Sequence, residues 1–237
     1  MTEIVDPFCY KCKARGKSCF HMLTKEDVDF LNSKKVTTYY KRGQIIFYAG
    51  RIPTGIYCLM SGKIKISKIG VDGKEQIVRF VLPGQLLGIR GLIGGRGYSA
   101  FATTLEDSTV CYIDKESFLF ITQKYPDITK CLLATLSQLL KEAEEKMTSM
   151  AQKPVRERLA EALLFLNNIF KSDEPSDIID ANSNIILPRE DLANIVGTAT
   201  ETIIRLLSDF RDEKLISIKG RKIILINIEG LNKIAKI

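Results

Sequence analysis

Three cysteines near the start of the chain are the side chains best suited to chemistry. Cys9, Cys12 and Cys19 form a Cys-x2-Cys-x6-Cys run, and four basic residues lie between them. Three thiolates need a fourth ligand to hold a [4Fe–4S] cluster or a tetrahedral zinc ion. His21 could complete a local zinc site, and reduced thiols could instead be oxidised to a disulfide. Inert cysteines in a solvated loop fit the same run.

The composition limits the class of protein that can carry these cysteines. The chain has 237 residues, 45% hydrophobic and 27% charged, which is enough for one large or two modest domains. No stretch reaches the ~20 apolar residues of a membrane helix, and the start, MTEIVDPFCYKCK, lacks the features of a signal peptide. We therefore expect a cytoplasmic protein with reduced cysteines and no membrane partner.

The motifs of common enzymes are missing from the sequence. It has one histidine and no Walker loop, HExxH, GxSxG or paired-carboxylate motif, so we predict that the protein is not an enzyme. The net charge of +7 invites a nucleic-acid partner. However, residues 1–60 carry +5, residues 61–126 carry +3 and residues 154–237 carry −1. The total charge is therefore not evidence for a basic DNA-binding domain.

The region from Val36 to Ile113 has the pattern of an antiparallel β structure. Short runs of β-branched and aromatic residues are separated by glycines, KIKIS alternates with period two, and VDGK is typical of a hairpin turn. Strands this short and closely spaced predict a barrel or roll. The absence of alternating strands and helices argues against a doubly wound nucleotide fold.

A long amphipathic helix is predicted after Pro126. Its apolar residues recur at steps of three and four, and it ends near Pro154 after about 25 residues. Leu133 and Leu140 widen the apolar surface, which favours a helix shared between two subunits over one packed only on its own barrel. The predicted dimerisation residues are Leu132, Leu136, Leu139, Ala143, Met147 and Met150.

The region after Val155 predicts a DNA-binding unit. A first helix and a polar loop precede two helices, at 189–195 and 200–211, and a hairpin that turns at Lys219-Gly220-Arg221. This order is that of a winged helix-turn-helix. Glu201 and Arg205 share an outward face, where Arg can donate to guanine and Glu can accept from cytosine. The same spacing also fits an ordinary surface ion pair.

The segment TATETIIRLLSDF, followed by EKLISIKGRKIILI, resembles the DNA-binding end of the CRP/FNR transcription regulators, which carry an E-T-[IV]-x-R-x-L core. The resemblance continues upstream through RERLAEALLFL, LPGQLLG, MSGKIKI and GQIIFYAG. It implies an α+β protein with an N-terminal antiparallel β-roll of the cyclic-nucleotide-binding type, a long dimerisation helix and a C-terminal winged helix-turn-helix. The expected segments are a Cys-rich stretch at 1–22, the roll at 23–126, the dimerisation helix at 127–153 and the DNA-binding domain at 154–237.

The resemblance also implies how DNA is read. A homodimer would bind a palindromic operator, with Glu201 and Arg205 reading a TGA-type half-site and Ile204 suited to a thymine methyl group. RNA polymerase would be a further partner if the protein is an activator. The residues expected to contact DNA are Thr200, Glu201, Thr202, Ile204, Arg205, Lys219 and Arg221.

The roll departs from the pattern of the family members that bind cyclic AMP. Gln85 stands in place of the ribose-binding Glu, and Tyr98 in place of the phosphate-binding Arg, although Ser99 is retained. An anionic phosphate without that Arg lacks its charge-assisted partner, so cyclic AMP is disfavoured. Arg90 and Arg96 leave another anion open.

The cysteines resemble those of the oxygen-sensing FNR branch, where one cysteine on the roll joins three N-terminal ones. The stretch TLEDSTVCYI identifies the roll cysteine as Cys111, so the resemblance implies a [4Fe–4S] cluster on Cys9, Cys12, Cys19 and Cys111 that responds to oxygen, nitric oxide or redox state. Cys58 and Cys131 are interpreted as packing residues. Structural zinc, thiol oxidation and another ligand of the roll remain alternatives, as does, more distantly, a ligand-binding subunit that does not bind DNA.

Overall fold

The computed structural model describes residues 8–171 and 184–237. The chain forms two compact units, Met1–Lys141 and Glu142–Ile237. The polar loop predicted at 171–184, after the first helix of the DNA-binding unit, lies mostly outside the described residues. The division into four segments stays a prediction.

In the described part of the first unit, eight strands form two antiparallel sheets of order β1-β8-β3-β6 and β2-β7-β4-β5. The predicted VDGK hairpin is confirmed, since it joins β4 to β5. The antiparallel roll expected from the short, glycine-separated strands is therefore present. The strands are β1 (Val36–Tyr40), β2 (Ile45–Phe47), β3 (Gly55–Ser61), β4 (Ile64–Ile69), β5 (Glu75–Val81), β6 (Leu86–Leu87), β7 (Phe101–Thr104) and β8 (Ser108–Asp114).

Short helices surround the roll and were not predicted from the sequence. Three turns of 3-10 helix, Cys9–Lys11, Lys13–Lys17 and Cys19–Met22, precede α1 (Lys25–Lys34). The helices α2 (Ile89–Gly94) and α3 (Lys115–Lys124) follow later in the chain. Both α1 and α3 begin at a side-chain N-cap, Thr24 and Asp114, which accept from backbone N–H groups of the first turn.

Two apolar clusters hold the first unit together. The side chains of one come from both sheets and fill the roll, among them Leu59, Ile64 and Val110. The other lies between the helices and the opposite face of β3 and β8, where Ile56 and Ile113 pack. The central strands therefore have apolar contacts on both faces.

The predicted long helix is confirmed as α4, Pro126–Gln152. Leu132, however, is buried in the core of its own unit, so its assignment to the dimer contact is wrong. The side chains of Leu133, Leu140 and Met147 are 61%, 61% and 66% exposed. Together with Leu136, Ala143 and Met150 they follow the three- and four-residue steps of a coiled-coil seam. We call these six residues the α4 seam. Leu139, also among the predicted dimerisation residues, is half-buried and lies outside this repeat, so its part in a dimer contact stays a prediction.

The second unit is a winged helix-turn-helix. Its strands form one antiparallel sheet of order β10-β11-β9. The two predicted helices are each present within one residue of the expected ends, whereas the last helix was not predicted. The elements are α5 (Val155–Phe170), β9 (Ile185–Ile186), α6 (Arg189–Val196), α7 (Thr200–Asp212), β10 (Ile216–Lys219), β11 (Lys222–Leu225) and α8 (Ile228–Ala235).

Within residues 8–171 and 184–237, no helix is both long and apolar enough to cross a bilayer.

Candidate functional site: a thiol cavity and a nucleic-acid interface

A cavity in the first unit is lined by four cysteines, none of which is in a disulfide: Cys9, Cys12, Cys58 and Cys111. We call this the thiol cavity. Its other lining groups are two basic side chains and mainly apolar ones: Arg15, Ser18, Phe20, Leu23, Val28, Leu31, Lys35, Met60 and Ile113. Three of the four predicted cluster ligands are thus brought together, with Cys58 as a fourth thiol.

Two of these thiols are positioned by the register of one sheet. Cys58 on β3 pairs directly with Cys111 on β8, and Thr37 on β1 pairs with Cys111 from the other side. Directly opposed residues of antiparallel strands point to the same face with Cβ atoms about 4.5–5.5 Å apart. The Oγ1 of Thr37 lies 3.7 Å from the Sγ of Cys111. Thr37, Cys111 and Cys58 therefore form a row across β1, β8 and β3 on one face of the sheet.

The other two thiols are positioned by the N-terminal 3-10 turns. The backbone N–H of Cys9 donates to Oδ1 of Asn32 at 3.1 Å, and that of Cys12 donates to the Cys9 carbonyl at 3.3 Å. The following turn lies against Gly84, where a Cβ atom would come within 2.6 Å of the Ala14 carbonyl oxygen. The turn before β6 must therefore lack a side chain for the 3-10 turns at residues 9–22, which we call the N-terminal segment, to lie this close.

Burial and the neighbouring charges govern the protonation of the thiols. Burial raises the pKa of the Cys9 thiol, and the adjacent Lys35 ammonium opposes that rise. Burial also raises the pKa of Cys58, and the nearby Cys111 adds to the increase. These two thiols are therefore protonated at neutral pH when no cation is bound, and a metal would have to displace their protons.

Cys19, the remaining predicted ligand, does not face the thiol cavity. It forms a disulfide with Cys131 of α4, with a Cα–Cα distance of 5.8 Å. Its neighbours Ser18 and Phe20 line the cavity, whereas Cys19 packs in the helical core. The assignment of Cys19 as a ligand is therefore corrected for this structure, as is the interpretation of Cys131 as a packing residue.

The local zinc site proposed on His21 is not assembled either. The Nδ1 of His21 lies 2.8 Å from the Ser18 carbonyl oxygen, and Cys19 is engaged in its disulfide. In the part of the chain that the structure describes, no three His, Cys, Asp or Glu side chains form a ready-made site for a metal ion.

Tyr98, which stands where the resemblance expects a phosphate-binding Arg, packs against an aromatic neighbour. Tyr98 is buried and stacks on Phe47 with ring centroids 4.0 Å apart. Arg90 donates to the hydroxyl of Ser99. The side chain of Gln85 accepts from the backbone N–H of Leu82 at 3.0 Å, which closes the local turn. Each of these side chains thus contacts other groups of the protein, and the exclusion of cyclic AMP stays a prediction.

The predicted DNA-reading residues lie on the outer face of α7. Glu201, Ile204 and Arg205 are exposed, with Ile204 at 55%, whereas Thr200 and Thr202 are half-buried. The opposite face of the helix packs into the core of the second unit. As predicted, the apolar residues that pack α6 against α7 are buried: Leu192, Ile195, Val196, Ile203, Leu206 and Leu207.

The turn between α6 and α7 is held by its backbone and by one arginine. Gly197 has a φ of 72°, a left-handed conformation that favours glycine. Arg158 donates from Nη2 to the Gly197 carbonyl at 3.3 Å and from Nη1 to the Met150 carbonyl at 3.0 Å. Arg158 therefore connects the end of α4 to the turn that orients α7, a role that the sequence did not reveal.

The wing presents its basic residues at the tip of the β10–β11 hairpin. Lys219 pairs with Lys222, and Gly220 between them has a φ of 59°. Lys219 and Arg221 are both exposed. Side chains of this kind are suited to phosphate contacts, which set position and affinity more than sequence preference.

Comparison with known proteins agrees with both units. A cyclic nucleotide-binding domain matches residues 37–125, and a Crp-like helix-turn-helix domain matches residues 157–234. The fumarate and nitrate reduction regulatory protein of Vibrio cholerae is 31% identical over 195 residues, 82% of this chain and 76% of the relative. The anaerobic regulatory protein of Haemophilus influenzae is 30% identical over 224 residues, 94% of this chain and 86% of the relative.

A solved structure shares the fold. FixK2 from Bradyrhizobium japonicum superposes with a TM-score of 0.72 at 23% identity, over 84% of this chain and 96% of that one. The matches confirm the predicted fold class and the prediction that the protein is not an enzyme. They also argue against a subunit that does not bind DNA. The chain belongs to the CRP/FNR family of DNA-binding transcriptional regulators.

Proposed function

We propose that this protein is a cytoplasmic regulator that binds a palindromic, TGA-containing operator as a homodimer. It responds to oxygen, nitric oxide or redox state through a [4Fe–4S] cluster in the thiol cavity. The observation that carries the sensing proposal is the meeting of Cys9, Cys12 and Cys111 in one cavity, although they come from opposite ends of the first unit.

The residues of the cavity suit such a cluster. Thiolates are the ligands that iron–sulfur clusters use, and a [4Fe–4S] core with four of them carries roughly two negative charges. Lys35 and Arg15 line the same cavity and can balance that charge. The apolar remainder of the lining limits the access of water. When bound, the cluster would supply one-electron chemistry and reactivity towards oxygen and nitric oxide.

The position of the N-terminal segment depends on what is bound in the thiol cavity. Cys9 and Cys12 lie on it, whereas Cys111 lies on β8. Thiolates bound to a common group hold the segment against the sheet. Loss of those bonds leaves it held by weaker contacts, such as that of the Cys9 N–H to Asn32. The position of the segment is thus the variable that a signal can change.

Dimerisation uses the α4 seam in this proposal. The seam supplies exposed apolar side chains at coiled-coil spacing, and burying them against a second copy removes them from water. Two copies would present two α7 helices, which matches a palindromic operator. At each half-site Arg205 donates to guanine and Glu201 accepts from cytosine, while Lys219 and Arg221 contact phosphates. RNA polymerase is a further partner if the protein activates transcription.

Anaerobic purification tests the cluster. After reconstitution with iron and sulfide in the absence of oxygen, the protein should absorb broadly at about 400 nm, as thiolate-bound clusters do. It should also contain about four irons per chain. The absorbance should bleach on exposure to air, and affinity for a palindromic TGA duplex should fall with it. A colourless, iron-free protein after this treatment would eliminate the cluster.

Thiol oxidation is a second candidate, favoured by the Cys19–Cys131 disulfide. Two thiols lose two protons and two electrons, and a peroxide accepts them and becomes water. The disulfide fastens the N-terminal segment to α4, the helix that bears the seam. An iron-free protein whose DNA affinity changes with peroxide and recovers with a thiol reductant would support this candidate over the cluster.

A further inference from the structure

We infer that Cys58, rather than Cys19, is the fourth thiolate ligand of the thiol cavity, so that the ligand set is Cys9, Cys12, Cys58 and Cys111. This inference rests on the proposed function and identifies one residue of it. Resemblance to the FNR branch points to Cys19, and the geometry of this chain points elsewhere.

The first support is the place of Cys58 in the sheet. It is the direct partner of Cys111 across β3 and β8, so the two thiols leave the same face side by side. The register irregularity in this pair of strands lies after Cys58, between Leu59 and Ser61, and leaves the cysteine pair aligned. A group bound to Cys111 on this face is therefore within reach of Cys58.

The second support is the place of Cys19. Its side chain bonds to Cys131 in the helical core, whereas the flanking Ser18 and Phe20 line the cavity. In the last 3-10 turn, Ser18 caps the turn by accepting from the N–H of Phe20 at 3.2 Å. For Cys19 to reach the cavity, its disulfide would have to be reduced and this turn rebuilt. Cys58 already lines the cavity.

The third support is that two of the four proposed ligands lie on each side of the cavity. Cys9 and Cys12 lie on the N-terminal segment, and Cys58 and Cys111 lie on the sheet. Two bonds on each side let a bound group fasten the segment to the sheet. The Cys19–Cys131 bond separately fastens the same segment to α4. This chain thus divides its six cysteines between a metal site and a tether.

Cysteine variants test the ligand set on the full chain. Wild type, Cys58→Ala, Cys19→Ala and Cys131→Ala are reconstituted anaerobically, and iron and sulfide per chain are measured. We expect Cys58→Ala to lose more than about nine-tenths of the bound iron, because a four-ligand site loses one ligand. Cys19→Ala and Cys131→Ala should keep wild-type iron and behave alike, since both remove only the tether. Far-UV circular dichroism checks that each apo variant folds.

The outcomes distinguish failure of this inference from failure of the proposed function. If wild type takes up no iron, or takes up one zinc ion instead, the proposed function fails and the inference fails with it. If wild type and Cys58→Ala both bind iron while Cys19→Ala does not, the cluster stands and the assignment of Cys58 is overturned.

A measurement on wild type covers the case in which Cys58→Ala does not fold. Alkylation of reduced protein is followed by mass spectrometry, with and without the cluster. Slower modification of Cys58 on reconstitution, with Cys19 unaffected, supports the assignment, and the reverse result overturns it.

Discussion

In α7, Glu201 and Arg205 lie one turn apart on a single helix, whereas the thiols of the cavity come from the N-terminal segment, β3 and β8. The DNA-reading face exists as soon as the helix forms. The thiol cavity exists only when the roll has folded and the N-terminal segment has docked on it. A signal that undocks a segment can therefore dismantle the cavity without altering the groups that read DNA.

This difference predicts that the two sites can be damaged separately. The link between them is α4, which bears the seam and, at Cys131, the attachment of the N-terminal segment. Variants of α4, of α7 and of the first unit should therefore have distinct effects on dimerisation, DNA affinity and stability.

The largest effect is expected from a charge in the α4 seam. In Leu140→Glu, two carboxylates would face each other across the two-fold axis, and like charges at an interface cost several kcal/mol. We expect dimerisation to weaken by more than about 100-fold and binding to the palindrome to fall with it, while iron uptake is unchanged. Analytical ultracentrifugation measures the first effect. Ala134→Glu, on the opposite exposed face of α4, is the control. An unchanged sedimentation profile of Leu140→Glu would contradict the proposal that the α4 seam forms the dimer interface.

An intermediate effect is expected from the recognition helix. Arg205→Ala should cost about 1–3 kcal/mol of specific DNA binding, because one bidentate base contact is lost. Fluorescence anisotropy with the palindrome and a scrambled duplex measures it. Arg211→Ala, an exposed arginine on another face of α7, should leave affinity unchanged. Iron content should equal that of wild type in both variants, and equal binding of the palindrome by Arg205→Ala and wild type would remove Arg205 from base reading.

The smallest effect concerns the pH stability of the first unit. The hydrogen bonds from Lys124 and Tyr125 lower the pKa of the buried Asp27 carboxyl. A lowered folded-state pKa contributes stability above the unfolded value of about 3.9, and that stability is lost as pH falls through the folded value. We therefore expect the difference in Tm between wild type and Asp27→Asn to shrink as pH is lowered from about 5 to about 3. Differential scanning calorimetry measures the Tm values, with the exposed Glu26→Gln as control. A Tm difference between wild type and Asp27→Asn that does not change with pH would contradict the lowered pKa of Asp27.

The sequence predicted the features that repeat at a fixed local period. The strand alternation, the long helix and the face of α7 that bears Glu201 and Arg205 all depend on neighbours within a few residues. The buried partners of that face, such as Ile203 and Leu207, were predicted for the same reason.

Features that depend on pairing across the fold were missed, apart from the approach of Cys111 to Cys9 and Cys12 that the family resemblance implied. Cys58 lies in an apolar run and looks like a packing residue until β3 is aligned with β8. Leu132 and Leu133 are adjacent and equally apolar, and only the packing of α4 on its own core decides which one is left for a partner. The bond between Cys19 and Cys131 joins positions 112 residues apart, and no local pattern marks it.

The close approach at Gly84 has a consequence for how such proteins are recognised among related sequences. Because a side chain there would collide with Ala14 and Lys17, a relative that keeps the cysteines but carries a bulkier residue at this place cannot seat its N-terminal segment in the same way. Cysteines near the start of a chain are therefore not enough by themselves, because the surface that receives the segment must also leave room for it. In this chain that surface includes Gly84 and, on the ligand set inferred above, Cys58.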